Sequence, residues 1–129
     1  MVRGKRPRRV AAALGALLLA IGATCAAAQD GGSATRGQAL YESRCGACHS
    51  VDANRVGPMH KGVLGRMSGS VPGYDYSPAL ASSHFVWTRE KLLLWLKNPE
   101  GLVPGQKMNY QVDDAQDRAD LVAYLATLK

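Results

Sequence analysis

The 129-residue chain has few aromatic side chains, and no segment alternates apolar and polar residues as a β-strand does. Aromatic residues make up 6% of the sequence, and 14 glycines contribute no side-chain bulk. A single domain of this size has a thin core if its own side chains must fill it. The lack of strand patterns favours an all-α fold, and the thin core favours a fold that wraps an additional apolar body.

Acidic residues are absent from the first 28 positions, where five of the 16 basic residues lie. An unbroken run of apolar residues and glycine spans Val10 to Ala23, and Ala26-Ala27-Ala28 follows it. A basic start, a short apolar run and small residues of the A-x-A type predict a secretory signal peptide. We therefore expect residues 1–28 to be cleaved after Ala28, and residues 29–129 to form one periplasmic domain.

Two other interpretations of the N-terminal segment stay open. An uncleaved membrane anchor is disfavoured, because a span needs about 20 strongly apolar residues and this run is shorter. Lipid attachment at Cys25 is disfavoured by the adjacent Thr24, which suits a lipidation sequence poorly. We expect no stable association with a membrane.

The formal net charge of +6 belongs almost wholly to the predicted signal peptide. Without residues 1–28, the chain keeps 11 basic and 10 acidic residues, a net charge of +1. A nearly neutral domain lacks the strongly basic surface of a nucleic-acid binder. We expect no nucleic-acid partner.

Two of the three cysteines lie in the run Cys45-Gly46-Ala47-Cys48-His49. C-x-x-C-H is the attachment signature of a c-type haem. In a helical turn this spacing places both sulfurs on one side of the backbone, where each thiol can add to one haem vinyl group. His49 is then left to bind the iron. The motif predicts one covalently attached haem c as the cofactor.

The same cysteines could serve two other kinds of site. A thioredoxin-like redox pair would need a βαβ context, which the sequence does not offer. A zinc site would need further ligands, but His60 and His84 are 24 residues apart, outside the usual finger spacings. Both alternatives are weaker than haem attachment.

The apolar pattern predicts three helices separated by loops. They are expected at 35–48, at 89–97, and from Asp113-Asp114 towards the C terminus. Residues 50–83 are rich in glycine and proline and predict a long loop. So long a loop is uncommon in a compact domain, and it favours packing against a cofactor.

Local residues suggest where two of these helices begin and end. Thr35 and Gln38 have the spacing of a capping box at the first helix. Thr88 can cap the second, and Asn98-Pro99 should end it, because a residue before proline disfavours helical geometry.

Haem iron has a second axial position, opposite His49. The candidate ligands are Met59, Met67, Met108, His60 and His84. Met108 is favoured because it follows Pro104-Gly105 in a loop between two predicted helices, and such residues fix the backbone that presents a side chain. His60 or an open position are the alternatives. Otherwise we expect His60 and His84 to be surface or loop residues.

From residue 29 to residue 129 the chain resembles the class I cytochromes c, the small soluble monohaem carriers. The motifs that carry the resemblance follow the family's order. They are Cys45–His49, Gly57-Pro58, Gly65-Arg66, residues 72–77, Trp87-Thr88, Asn98-Pro99, residues 104–108 and residues 118–125. The resemblance implies the class I cytochrome c fold, in which the N- and C-terminal helices cross and loops wrap one haem.

The resemblance also implies roles for individual residues. The Pro58 carbonyl would accept a hydrogen bond from His49. Arg66, Tyr76 and Trp87 would donate to a haem propionate, whose burial requires such partners. Trp95 would pack against the haem. The first helix would cross the last one, with Gly37 and Tyr41 meeting Leu121 and Tyr124.

Three positions depart from the family pattern on the Met108 side. Many relatives have a tyrosine at position 95, a threonine at position 106 and an asparagine at position 80. This chain has Trp95, Gln106 and Leu80. The hydrogen bonding around Met108 therefore cannot be carried over from the family.

A His/Met-ligated iron has no open position, so the resemblance implies a monomeric one-electron carrier and not an enzyme. Its partners would be membrane or periplasmic redox proteins in transient contact. Arg44, Arg55 and Lys107 could steer an acidic partner, although only weakly at a net charge of +1. The alternatives are a haem subunit dedicated to a periplasmic dehydrogenase complex, and a five-coordinate haem enzyme or gas sensor.

Overall fold

The computed structural model describes residues 31–129, together with Met1 and Gly4. The predicted signal peptide therefore lies almost wholly outside the described residues. Within the described part, five α-helices form: α1 Ala34–Leu40, α2 Pro78–Ala81, α3 Arg89–Lys97, α4 Pro99–Leu102 and α5 Ala115–Leu125. The same residues contain no strand, only one isolated antiparallel bridge between Met67 and Val86. The expectation of an all-α fold is confirmed.

Helix α1 begins two residues earlier than a Thr35 cap would require. Ser33 has extended backbone angles, and its hydroxyl oxygen accepts the N–H of Arg36 at 3.2 Å. The predicted capping box is therefore wrong, and the Gln38 side chain donates instead to Glu42 at 2.9 Å. An earlier serine that can adopt the extended cap geometry takes the role from Thr35.

The first helix also changes pitch before it reaches the haem motif. From Tyr41 to Cys45 the backbone forms a π-helical turn, and the Gly46 N–H donates to the Tyr41 carbonyl at 3.0 Å. A π turn within an α-helix is rare and is frequently found at functional sites. Here it leads directly into the two cysteines.

Helices α1 and α5 cross at Gly37. A Cβ atom on Gly37 would lie 1.9 Å from the Asp120 carbonyl oxygen and 2.9 Å from Cβ of Tyr124. One turn later, the rings of Tyr41 and Tyr124 are tilted against each other, with centroids 5.3 Å apart. The expected crossing of the terminal helices is confirmed, and it requires glycine because the two backbones touch.

Buried charge joins the same two helices. Arg36 of α1 pairs with Asp117 and Asp120 of α5, and the Ser33 N–H donates to Asp120 at 2.7 Å. Burial alone would raise the pKa of the Asp120 carboxyl. Hydrogen bonds from Ser33, Gln116 and Arg36 outweigh that effect and hold the pKa below its usual range.

The remaining helices start at local caps. Thr88 caps α3 by accepting the Lys91 N–H at 3.2 Å, as expected. Asn98 ends α3 and also caps α4, where Pro99 takes the first helical position. The loop predicted over residues 50–83 contains a short helix, α2, whose cap is Ser77. None of the described helices is long and apolar enough to cross a membrane.

The core lies between α1, α3 and α5. Its buried members are Tyr41, Val63, Trp87, Leu92, Trp95, Leu96, Val103, Val112, Leu121, Val122 and Leu125. Several of these side chains also line the cavity described next, so the core is a shell around that cavity.

Candidate haem site

A cavity of about 710 Å³ opens between the π-helical turn, α3, α5 and the loops. It is large enough for a cofactor. All the predicted cofactor-site residues line it, namely Cys45, Cys48, His49, Pro58, Arg66, Tyr76, Trp87, Trp95 and Met108. The rest of the lining is mainly apolar, including Val63, Leu92 and Leu121. Residues spread over 64 positions of the sequence are thus brought to one place.

The two cysteines and His49 lie in a tight turn. The N–H groups of Cys48 and His49 both donate to the Cys45 carbonyl, at 3.1 and 2.8 Å. Cys45 is half-buried and Cys48 is exposed. Burial raises the pKa of the Cys45 thiol to about 11. Cys45 is therefore a neutral thiol at pH 7, unlike the low-pKa thiolate of a redox-active cysteine pair.

The His49 ring is oriented by Pro58, as the resemblance implied. Its Nδ1 lies 2.9 Å from the Pro58 carbonyl oxygen. A carbonyl can only accept, so Nδ1 carries the proton and Nε2 keeps a free lone pair. Burial lowers the pKa of His49, which keeps the imidazole neutral. This is the form that binds a metal through Nε2.

Gly57 makes room for the same ring. A Cβ atom at position 57 would lie 2.1 Å from Cε1 of His49, well inside van der Waals contact. The Gly57 N–H also donates to the Cys48 carbonyl at 2.8 Å. Glycine here lets the loop that carries Pro58 approach the imidazole closely.

His60 is an unexpected part of the site. Its ring stacks on His49, with centroids 4.1 Å apart and planes 18° from parallel. Its Nδ1 lies 3.0 Å from the hydroxyl oxygen of Tyr41. Burial lowers the pKa of His60 to about 3, with smaller effects from the charges of His49 and Arg66. Nothing in the local sequence marks this contact, because it depends on how the loop folds back.

Met108 lies in the cavity with its sulfur next to an indole. The Nε1–H of Trp95 donates to Sδ of Met108 at 3.2 Å. Trp95 belongs to α3 and is 8% exposed, so the donor is fixed by the core. Trp95, which stands where many relatives have tyrosine, therefore also donates a hydrogen bond to the sulfur. Its donor is an N–H group, which can only donate.

Gln106, the second departure, holds the Met108 loop. Its side chain is buried, and its Nε2 donates to Glu100 at 3.2 Å and to the side-chain oxygen of Asn109 at 3.1 Å. Its Oε1 accepts the Asn109 N–H at 3.1 Å. The loop is therefore tied on both sides of Met108. Leu80, the third departure, lines the same cavity with an apolar side chain.

Three residues were expected to donate to haem propionates, and they differ in what they already bind. Arg66 donates to the carbonyls of Lys61 and Met59, both at 3.0 Å. The hydroxyl of Tyr76 accepts the Val71 N–H at 3.2 Å, which leaves its own proton free to donate. Within residues 31–129 the indole N–H of Trp87 has no recorded partner, although the side chain is 7% exposed and lines the cavity.

The three cations expected to steer a partner also have contacts within the chain. Arg44 pairs with Asp117 at 3.0 Å, and Lys107 pairs with Asp75 at 3.3 Å. Arg55 donates to the Gly46 carbonyl at 2.7 Å. The charges of Arg44 and Lys107 are therefore partly neutralised, whereas Arg55 keeps its charge because a carbonyl group is neutral.

Comparison with known proteins gives the same assignment. The family model for cytochrome c matches residues 34–129. The chain is 48% identical to the cytochrome c of Euglena viridis, over 76% of this chain and 99% of that protein. It is 45% identical to the cytochrome c2 of Rhodopila globiformis, over 76% of this chain and 95% of that protein.

Solved structures agree with these sequence matches. Cytochrome cH from Methylobacterium extorquens superposes with a TM-score of 0.71 at 39% identity, covering 74% of this chain and 99% of that one. The ferricytochrome c2 of Rhodopseudomonas palustris gives 0.71 at 35% identity, covering 75% and 99%.

The cavity fits the cofactor of this family. Its lining is mostly apolar, two thiols lie in the attachment spacing at its edge, and the Trp87 N–H lines it without a recorded partner. The cofactor is one covalently bound haem c, and the chain belongs to the cytochrome c family of monohaem electron carriers.

Proposed function

We propose that the protein is an exported, periplasmic one-electron carrier whose haem iron is bound by His49 and Met108. One observation carries this proposal: the same cavity contains an imidazole held by Pro58 and a thioether held by Trp95. Each side chain has a lone pair suited to iron, and each is held by a second group. A site with both axial positions filled transfers electrons and leaves no place for a substrate on the metal.

The two proposed ligands set the redox preference of the site. When bound, haem supplies an iron that stores one electron in its ferrous state and releases it on becoming ferric. A thioether is a soft ligand that favours the ferrous state, so Met108 should raise the potential. The hydrogen bond from Nδ1 of His49 to the Pro58 carbonyl makes Nε2 a stronger electron donor than it would be without that bond.

The position of His60 argues against it as the ligand opposite His49. A haem held by two side chains would lie between them, so the two side chains must be far enough apart to leave room for it. The rings of His49 and His60 are stacked face to face with centroids 4.1 Å apart, which leaves no room for a haem between them. The separate position of Met108, beside Trp95, supports the thioether as the second ligand.

We further propose that Cys45 and Cys48 form thioether bonds to the haem vinyl groups, and that Trp87 and Tyr76 donate to its propionates. Trp87 has a donor without a recorded partner on the cavity wall, and the Tyr76 hydroxyl has a proton to give. The guanidinium of Arg66 is already bound to Met59 and Lys61 carbonyls, so its part is to place positive charge near the carboxylates. A buried carboxylate needs these partners to remain ionised.

The test of the carrier function combines a redox titration with a ligand-binding assay. The purified haem protein should titrate as a single one-electron couple, and its ferrous form should not bind carbon monoxide near neutral pH. The pyridine adduct should show a covalently attached haem. Carbon monoxide binding by the native ferrous protein would show an open iron position and would favour a five-coordinate enzyme or sensor.

Export and partner choice need separate experiments. We propose that residues 1–28 are removed after Ala28 and that the domain meets its membrane or periplasmic partners transiently. The mass of the protein from a periplasmic fraction should equal that of residues 29–129 plus one haem. On gel filtration of native extract it should elute as a monomer, whereas co-elution with an oxidoreductase would show a dedicated subunit.

A further inference from the structure

Three aromatic side chains outside the proposed ligand set form a continuous path from α5 to His49. Tyr124 packs against Tyr41 with ring centroids 5.3 Å apart. The Tyr41 hydroxyl is hydrogen-bonded to His60 at 3.0 Å, and the His60 ring stacks on His49 at 4.1 Å. The contact between Tyr41 and Tyr124 belongs to the crossing of α1 and α5, but that crossing does not require the link through His60 to His49.

The hydrogen bond to Pro58 does not fix the plane of the His49 ring. It fixes the position of Nδ1, 2.9 Å from the carbonyl oxygen, but the ring plane can still turn about that bond. A flat group packed against the face of the ring opposes this turning. The His60 ring is such a group, because the two planes are within 18° of parallel.

His60 is itself held firmly enough to act in this way. Its backbone N–H donates to the Ser50 carbonyl at 3.1 Å, and its carbonyl accepts the Val63 N–H at 2.9 Å. Its ring is bound to Tyr41, which is 5% exposed and packs edge-on against it, with centroids 5.5 Å apart. Because both its backbone and its ring are held, His60 can hold the neighbouring His49 ring in place.

We propose that His60 is a positioning residue that sets the plane of the His49 ring, with Tyr41 holding His60 in place. This inference rests on the proposed binding of iron by His49. The plane of an axial imidazole decides how the unpaired electron of a low-spin ferric haem is distributed over the macrocycle. The pattern of haem methyl resonances in the proton NMR spectrum should therefore change when the plane of the His49 ring turns.

The test compares three variants that separate the flat face from the hydrogen bond. His60→Leu removes both, His60→Phe keeps a flat ring and loses the hydrogen bond, and Tyr41→Phe removes only the hydroxyl. In the ferric haem protein, His60→Leu should change the spacing and order of the methyl resonances. His60→Phe and Tyr41→Phe both keep a flat ring and lose the hydrogen bond, so each should shift in the same direction as His60→Leu but less.

The outcomes distinguish this inference from the ligand assignment on which it rests. If the wild-type protein shows the sulfur-to-iron absorption band and His60→Leu leaves the methyl pattern unchanged, the positioning role is wrong and the ligands stand. Equal shifts in His60→Leu and His60→Phe would also overturn it, because a flat face would then not matter. A wild-type spectrum without that band would reject Met108 as a ligand, whereas the positioning role needs only His49 and would still stand or fall on the methyl resonances of His60→Leu.

Discussion

At the scale of single residues, the proposed site depends on the groups that form hydrogen bonds with the two proposed ligands. Pro58 orients His49, and Trp95 orients Met108. The sequence motif and the resemblance predicted the first contact, because Pro58 lies in the expected place. They left the second contact open. Many relatives have a tyrosine at position 95, and the reach of a tyrosine hydroxyl does not predict that of an indole N–H. Only the packing of α3 against the Met108 loop shows that the N–H reaches the sulfur.

Replacing Trp95 tests how much its hydrogen bond to Met108 contributes to the midpoint potential. The Trp95→Phe variant keeps an aromatic body and removes the N–H. An N–H donor withdraws electron density from the sulfur, which weakens its bond to ferric iron more than to ferrous iron. Its loss should lower the midpoint potential by about 40 mV, the equivalent of one hydrogen bond of about 1 kcal/mol.

The control for this variant is Trp95→Tyr, which can restore a donor. Potentiometric titration of both proteins measures the effect. A potential in Trp95→Phe equal to that of wild type, with the sulfur-to-iron band intact, would show that Trp95 acts only through packing.

At the scale of elements, the crossing of α1 and α5 supports one side of the haem cavity. The crossing was predictable because Gly37 and the apolar stripe of the last helix lie at the positions that the family resemblance implies. The π-helical turn that follows was not, because no local pattern in residues 41–45 marks its wider pitch. The Ser33 cap was missed because Thr35 and Gln38 offered a competing pattern two residues later.

The Gly37→Ala substitution tests the crossing. The added methyl carbon would lie 1.9 Å from the Asp120 carbonyl oxygen, so the helices must separate. We expect the free energy of unfolding in guanidinium to fall by about 3 kcal/mol, at the upper end of overpacking effects. Gly31→Ala is the matched control, because a Cβ at position 31 has no atom within 4 Å. Equal stability of the two variants would contradict a close crossing at Gly37.

The ion pair between Arg36 and the buried carboxylate of Asp120 predicts a pH dependence. The pKa of Asp120 is lower in the folded chain than its usual value, so ionised Asp120 stabilises the fold above about pH 4. This stabilisation is lost as the pH falls through the folded pKa. Asp120→Asn should therefore cost about 2 kcal/mol at pH 7 and progressively less towards pH 3 and below.

Denaturant unfolding of both proteins as a function of pH measures this difference. Asp113→Asn is the control, since Asp113 is exposed and, among the described residues, its carboxylate accepts a hydrogen bond only from the Gln111 side chain. A loss in Asp120→Asn that stays constant down to pH 2 would show that the carboxylate charge is not the cause.

At the scale of the whole molecule, the chain is a thin shell around a cavity, as its few aromatic residues and many glycines indicated. The sequence and the family resemblance predicted the cofactor and nine of the residues that line the cavity. They did not predict the stacking of His60 on His49, its bond to Tyr41, or the buried amide of Gln106 that ties the Met108 loop. Such contacts depend on loop paths, which local patterns do not encode.

The distribution of charge over the molecule predicts weak electrostatic steering. Arg44 and Lys107 are paired with aspartates, and residues 29–129 carry a net charge of +1. Oxidation of the ferrous protein by ferricyanide should slow by less than about threefold between about 0.01 and 0.15 M salt. A fall of about tenfold or more would reveal a free positive patch at the haem edge.

The most direct test of the central claim is the absorption spectrum of the ferric protein in the near red. A weak sulfur-to-iron band should be present in the wild type, absent in Met108→Ala and retained in Met67→Ala, whose native side chain is 45% exposed and lies outside the cavity lining. Ferrous Met108→Ala should also bind carbon monoxide. A band that survives in Met108→Ala, or that is missing from the wild type, would contradict ligation by His49 and Met108.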